Sequence, residues 1–276
     1  MPHLFCFGLG FSAQALARRL IPKGWTVTGT SRTGDNGSLA FDGTRPLDRT
    51  VFDGVTHLLV SAPPGEAGDP VLSCHRDDLA RLEGSLRWAG YLSTTGVYGD
   101  RGGEWVDETS PLAPTTARGE RRLAAETAWR ALGLPLHIFR LAGIYGPGRN
   151  QLVSLRDGTA KRIVRKGQVF SRIHVDDIAG VLAASIDKPD PGQAYNVCDD
   201  EPCPPQDVVA FAATLLNVPA PPEIPFDEAE LSPMARSFYA ESKRVSNRRI
   251  KQELGYRLIY PTYREGLAAL LATLAR

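Results

Sequence analysis

Gly8, Gly10 and Ala13 form a G-x-G-x-x-A spacing directly after the apolar run Leu4-Phe5-Cys6-Phe7. The helical pattern Ala13-Gln14-Ala15-Leu16-Ala17-Arg18-Arg19-Leu20 follows at once. Strand, glycine turn and helix in that order make an anion site. Gly8 permits the turn, Gly10 lets the backbone approach phosphates closely, and Ala13 is small enough for tight helix–strand packing. Phe11 and Ser12 open the helix, whose free N–H groups and positive dipole end suit a pyrophosphate. A second strand pattern, Trp25-Thr26-Val27-Thr28-Gly29-Thr30, comes after Gly24, and the whole arrangement predicts dinucleotide binding. Ser31 and Arg32 end that strand, with no carboxylate before Asp35. A carboxylate at this point would bind a ribose 2′-hydroxyl; Arg32, helped by Ser31, instead complements a 2′-phosphate. These residues favour NADP over NAD.

The elements that must hold this chemistry alternate along the first half. Val55-Thr56-His57-Leu58-Leu59-Val60 reads as a buried strand ending at Ser61-Ala62-Pro63-Pro64-Gly65, and a helix is expected around Asp77-Asp78-Leu79-Ala80-Arg81-Leu82. Gly90-Tyr91-Leu92-Ser93-Thr94-Thr95 is another buried strand, residues 119–132 carry apolar positions at helical spacing, and Leu136-His137-Ile138-Phe139-Arg140-Leu141 is a further strand. Such alternation predicts an α/β fold, a Rossmann-type doubly wound parallel sheet, with ligands at the carboxyl ends of its strands. The loops at 8–13, 61–65, 93–99 and 142–149 should converge there. The proline-rich stretch Val218-Pro219-Ala220-Pro221-Pro222-Glu223-Ile224-Pro225 reads as a loop or semi-rigid connector.

Composition narrows the classes. The chain has 276 residues, a net charge of +1, 42% hydrophobic and 23% charged residues, as in ordinary globular domains. Nothing in that balance predicts nucleic acid or a membrane as partner. Met1-Pro2-His3 leads straight into the first strand without a signal-peptide pattern. Cys6, Cys74, Cys198 and Cys203 have no metal-binding spacing, so no metal is expected and reduced thiols in a cytoplasmic protein are.

Several segments together resemble the extended short-chain dehydrogenase/reductase family, the nucleotide-sugar epimerases and dehydratases. Ser93-Thr94-Thr95-Gly96-Val97-Tyr98-Gly99-Asp100, Asp107-Glu108-Thr109-Ser110-Pro111, Phe139-Arg140-Leu141-Ala142-Gly143-Ile144-Tyr145-Gly146-Pro147-Gly148 and Arg172-Ile173-His174-Val175-Asp176-Asp177-Ile178-Ala179 match its blocks in order. Ser242-Lys243-Arg244-Val245-Ser246-Asn247 and Leu254-Gly255-Tyr256 resemble later ones. The resemblance implies that Asp42 and Gly43 pass the adenine, that Ser61, Ala62 and Pro63 pass the ribose, and that Ala142, Gly143 and Ile144 border the cofactor. It implies a nucleotide domain over 1–150, with 172–196 returning to it. A small substrate-binding lobe would be built from 151–171 and 197–276. Dimerisation through the helices around 77–89 and 122–132 is a family habit.

The family's Tyr-x-x-x-Lys pair is missing. Alignment on Glu126 puts Arg118 at the Tyr position and Arg122 at the Lys position, while Thr94 keeps the Ser/Thr place. Arginine stays protonated, so Arg118 cannot shuttle a proton as tyrosine does. Arg122 retains the ability to hydrogen-bond a ribose or phosphate, or else forms a surface ion pair with Glu126. Tyr98 and Tyr145 flank the expected cleft, either as substitute proton donors or as packing residues with one polar end. His174, with Asp176 and Asp177, is an acid–base candidate or a structural join between lobes. Two functions follow: an NADP-dependent oxidoreductase or epimerase with a non-standard active site acting on a small molecule, or a non-catalytic NADP-binding sensor or scaffold.

Overall fold

In β1 (His3–Phe7) only His3 reaches solvent, and a parallel strand buried on both faces needs that unbroken apolar run. Its side chains alternate: Leu4 and Cys6 enter one core, Phe5 and Phe7 the other. The computed structural model describes residues 1–274; residues 275–276, placed in the lobe by the sequence, lie outside the described residues. After β1 come α1 (Phe11–Leu20), β2 (Thr26–Ser31), β3 (Leu39–Ala40), β4 (His57–Val60), α2 (Pro70–Ala80), β5 (Trp88–Thr94), β6 (Trp105–Val106), α3 (Ala117–Arg130) and β7 (Leu136–Leu141). The chain continues through β8 (Gly143–Tyr145), α4 (Gln151–Arg156), β9 (Arg162–Val164), β10 (Arg172–His174), α5 (Val175–Asp187), β11 (Ala194–Val197) and α6 (Pro205–Leu216). It ends with β12 (Glu223–Pro225), α7 (Pro233–Tyr239), β13 (Arg244–Val245), α8 (Arg248–Gln252) and α9 (Tyr263–Leu274).

The central sheet has seven strands in the order β11-β7-β5-β4-β1-β2-β3, and every pairing is parallel. Strand order reverses at β1, between β2 and β4, so a crevice opens at the carboxyl ends there. Leu16 of α1 and Ile178 and Leu182 of α5 cover one face with Leu4 and Phe139. Val71 and Leu79 of α2 and Trp129 of α3 cover the other with Phe5 and Ile138. A smaller core joins Tyr145, Leu152, Val208, Ala212, Tyr263 and Leu267 from β8, α4, α6 and α9. Among the described residues no helix is long and apolar enough to cross a membrane.

Several elements differ from expectation for local reasons. α2 begins well before the expected stretch because Asp69 caps it, its carboxylate accepting from the N–H groups of Val71 and Leu72 at 2.9 and 3.1 Å. The other oxygen of Asp69 accepts from the Trp129 indole at 2.9 Å, which ties α2 to α3. α3 starts at Ala117 because the Thr116 hydroxyl accepts from Gly119 N–H. Part of the proline-rich connector is a strand: β12 pairs with β9 through Glu223, Ile224 and Pro225.

Glu126 does not pair with Arg122. It is 2% exposed and takes the Arg140 guanidinium at both oxygens, 2.9 and 3.2 Å, and the Ser93 hydroxyl at 2.5 Å. Replacing Glu126 by Ala should cost about 3–5 kcal/mol in urea unfolding, because it strands a buried guanidinium. Glu126→Leu combined with Arg140→Met should recover most of that loss; a double variant as unstable as the single one would mean that the charge pair is not the source.

Candidate functional site

The glycine turn is fixed from three sides. Gly8 has φ +89°, a backbone region that side chains with a Cβ avoid, and an added Cβ would lie 3.1 Å from the Ala62 nitrogen. Its N–H donates to the Thr30 hydroxyl at 3.0 Å, and the Leu9 N–H to the Thr30 carbonyl at 2.6 Å. Ser61 and Ala62 both donate backbone N–H to the Phe7 carbonyl, at 2.8 and 3.0 Å, which holds Ser61, Ala62 and Pro63 against the turn. Gly10 is different: a Cβ built on it meets nothing within 4 Å. Gly10 caps α1 with no side-chain hydrogen bond and no acidic residue in the first turn. The helix start beyond it, at Phe11, Ser12 and Ala13, is therefore open to an anion.

At the end of β2, the Ser31 hydroxyl accepts from the N–H groups of Gly34 and Asp35, at 2.9 and 3.1 Å, and shares a hydrogen bond with the Ser38 hydroxyl at 2.8 Å. Arg32 is exposed and has no ion-pair partner among the described residues. The Asp42 carboxylate accepts from the Thr44 hydroxyl at 2.7 Å and from its N–H at 2.9 Å, and these bonds hold it below the usual carboxylate range. Gly43 has φ +85° and abuts Pro70, where an added Cβ would fall 2.5 Å from the ring.

A cleft of about 390 Å³ opens beside this turn. Of the residues singled out by sequence, Ser12, Ser61, Thr94, Arg118, Arg122, Ala142, Gly143 and Ile144 line it. Thr94 ends β5, and its hydroxyl oxygen accepts from Gly96 N–H at 3.2 Å, leaving the hydroxyl proton for a ligand. One nitrogen of Arg122 donates to the Leu92 carbonyl at 2.7 Å and to the Tyr91 phenol at 3.2 Å. The Arg118 guanidinium lies over the Phe238 ring, 5.1 Å from its centre. Partial burial, then the charges of Arg122 and Arg149, push its pKa down.

Neither tyrosine lines the cleft. Tyr98 is fully buried; its hydroxyl donates to the Asn196 side chain at 2.8 Å and accepts from Arg140 at 2.9 Å. Burial pushes that phenol up to about 12. Tyr145 turns instead toward α9, where a Cβ on Gly266 would fall 2.1 Å from its hydroxyl, and burial raises its pKa further. His174 is held by one ring nitrogen, Nδ1, which caps α5 by accepting from Asp176 N–H at 3.2 Å, while its Nε2 is buried with no partner among the described residues. Asp177, fully buried, accepts from the Tyr256 hydroxyl and the Ile259 and Tyr260 N–H groups at 2.7–3.1 Å. This block joins the C-terminal segment to α5.

The cleft also holds residues that were not singled out. Arg149, Arg172, Phe238, Glu241 and Lys243 all line it. Lys243 stands in the late S-K-R-x-x-N block, but no spacing shows that it turns inward to the Gly99 carbonyl, 2.7 Å away. Phe238 sits on α7, which has no buried residue and hence no periodic apolar signal.

A doubly wound sheet with an open glycine turn at its switch point is a Rossmann-type dinucleotide-binding fold. No protein-family model matches the chain. A functionally unknown conserved protein from Silicibacter pomeroyi DSS is 55% identical, with all of both chains covered and a TM-score of 0.93. A protein from Methylobacillus flagellatus, assigned as an NAD-dependent epimerase/dehydratase, is 29% identical over 100% of this chain and 99% of its own, with a TM-score of 0.75. Protein YeeZ of Escherichia coli K12 is 27% identical over 234 residues, 72% of this chain and 78% of its own length. Its structural neighbours thus include members of the NAD-dependent epimerase/dehydratase family.

The two glycines of the turn should separate in a stability test. Gly8→Ala should lower the unfolding free energy by about 1–3 kcal/mol, through positive φ and contact with Ala62. Gly10→Ala should cost less than about 1 kcal/mol. Equal losses in urea melts would contradict the assignment of Gly10 to ligand approach.

Proposed function

We propose that the protein binds a nicotinamide dinucleotide, NADP ahead of NAD, and acts on a small molecule as an oxidoreductase or epimerase with a non-standard active site. The observation that carries this reading is that Ser12, at the open start of α1, and Thr94, at the end of β5, line one cleft. The assignment of the Methylobacillus protein as NAD-dependent supports the cofactor class. In this reading Gly8, Gly10, Phe11, Ser12 and Ala13 hold the pyrophosphate. Arg32, helped by Ser31, meets the 2′-phosphate, and Asp42 and Gly43 border the adenine. Ser61, Ala62 and Pro63 border a ribose, and Arg122, Ala142, Gly143 and Ile144 the nicotinamide half. When bound, the dinucleotide supplies a hydride acceptor or donor.

The residues of this chain do the rest. Thr94 donates its free proton to a substrate oxygen and polarises it. Arg122 holds a fixed positive charge beside it, since a guanidinium does not deprotonate. With the Tyr98 and Tyr145 phenols engaged elsewhere, water is the proton source. That engagement, with arginine at positions 118 and 122, also favours a second reading, a non-catalytic NADP-binding sensor. If a missing acid is all that limits the first reading, Arg118→Tyr with Arg122→Lys should create or raise dehydrogenase activity toward uncharged substrates; no change with any of them favours the sensor.

Calorimetric titration with NADP and NAD tests the cofactor. Arg32→Ala should weaken NADP binding about 10- to 100-fold, the worth of a hydrogen bond to a charged group, and leave NAD binding nearly unchanged. Equal effects on both would sink the 2′-phosphate role. Gly10→Ala should abolish binding of both while the fold persists.

A further inference from the structure

We propose that the cleft takes a substrate bearing a carboxylate or phosphate group, and that Arg118 is the residue that binds this anion. The inference deepens the dinucleotide-dependent reading above and rests on it for what the substrate meets. It starts from a charge imbalance. Arg118, Arg122, Arg149, Arg172 and Lys243 line the cleft, and Glu241 is the carboxylate that faces them there. Glu241 is already satisfied: it accepts from Lys243 at 2.6 Å and from the Thr115 and Thr116 hydroxyls at 3.2 and 3.4 Å. Like charges gathered around a partly desolvated cavity repel, and the arrangement stabilises whatever anion enters it.

The cations are not equally free. One nitrogen of Arg122 is taken by Leu92 and Tyr91. Arg172 donates one nitrogen to the Phe170 carbonyl at 3.0 Å and to the Cys203 sulfur at 3.1 Å. Lys243 spans Gly99 and Glu241. Arg118 and Arg149 have neither an ion pair nor a side-chain hydrogen bond among the described residues.

Arg149 sits on the loop whose Gly146 packs against Phe11, an added Cβ lying 3.1 Å from that ring. Arg149 itself lines the cleft and can serve either anion. Arg118 stands on the first turn of α3, near enough to Arg122 and Arg149 for their charges to push its pKa down after burial does. Its guanidinium carbon lies 5.1 Å from the Phe238 ring centre, a cation–π contact that steadies the side chain while its N–H groups stay available for a planar or tetrahedral oxyanion. A residue that cannot release a proton but presents a fixed fork of donors is suited to recognition, not acid catalysis. The position where the family resemblance expects an acid becomes the determinant of substrate charge.

The test uses inorganic phosphate and malonate as probes, titrated by calorimetry into the full-length protein saturated with NADP. Saturable binding is expected, weakening as salt is raised. It should fall about tenfold or more in Arg118→Gln, and Arg118→Lys should keep part of it. Melting temperatures check that both variants fold, and NADP affinity unchanged in Arg118→Gln assigns the site to substrate and not to the cofactor's own phosphates. Absence of saturable binding in the saturated protein, equal affinity in Arg118→Gln, or a parallel loss of NADP affinity would overturn the proposal. The same titration without dinucleotide keeps the two readings apart. Arg118-dependent phosphate binding in a protein that takes up neither NADP nor NAD would sink the cofactor reading and leave this one standing.

Discussion

A buried ion pair beneath the cleft decides where the functional side chains stand. Glu126 and Arg140 meet where α3 lies on β7, at 2% and 3% exposure, and Ser93, Tyr98 and Asn196 complete their hydrogen bonds. The network thus fastens α3 to the ends of β5, β7 and β11 at once. Arg118 and Arg122 lie two and one turns before Glu126 on the same helix face. Their approach to Thr94 is set by the pair below them. Charges buried this deeply stabilise little in themselves, but a mispositioned α3 would leave them unsatisfied, so they select one seating of the helix.

The rest of the site follows from the parallel sheet. Strands buried on both faces force the chain to cross over through helices, and the crossovers deliver every loop to one edge. The glycine turn, the loop after β4 and the end of β5 arrive together for that reason. Their local order comes from backbone bonds to neighbouring strands, such as Leu9 to Thr30 and Ser61 to Phe7.

How much of this was legible in the sequence depends on whether the signal was local. The β1–turn–α1 unit and the alternation of strands and helices rest on short-range periodicity, and the structure has them in that order, with α2 beginning earlier than its expected stretch. Asp69 as a cap could have been read, since it precedes a proline at the first helical position. The partner of Glu126 could not be read, because Arg122 and Arg140 are both cations and only the packing of α3 on β7 chooses between them. Tyr98 was equally ambiguous: a tyrosine beside a cleft and one beneath it share the same neighbours in sequence. Phe238, Glu241 and the orientation of Lys243 belong to a segment held by tertiary contacts, with no period to betray it. The pairing of β12 with β9 overrode a proline-rich composition because Pro225 sits at the end of a short edge strand.

The two edges of the central sheet carry a consequence for how the protein behaves in a crowd of its own copies. At one side β3 is two residues long, and the chain then turns away through Asp42 and Thr44. At the other, β11 has its Asn196 N–H taken by the Glu108 carboxylate at 2.7 Å, and its Ala194 carbonyl by Arg249 at 3.3 Å. A passing strand finds little unpaired backbone on which to template itself. Side chains thus do for this open sheet what closure does for a barrel, and the molecule can keep a broad, flat apolar interior without offering it as a seed for aggregation.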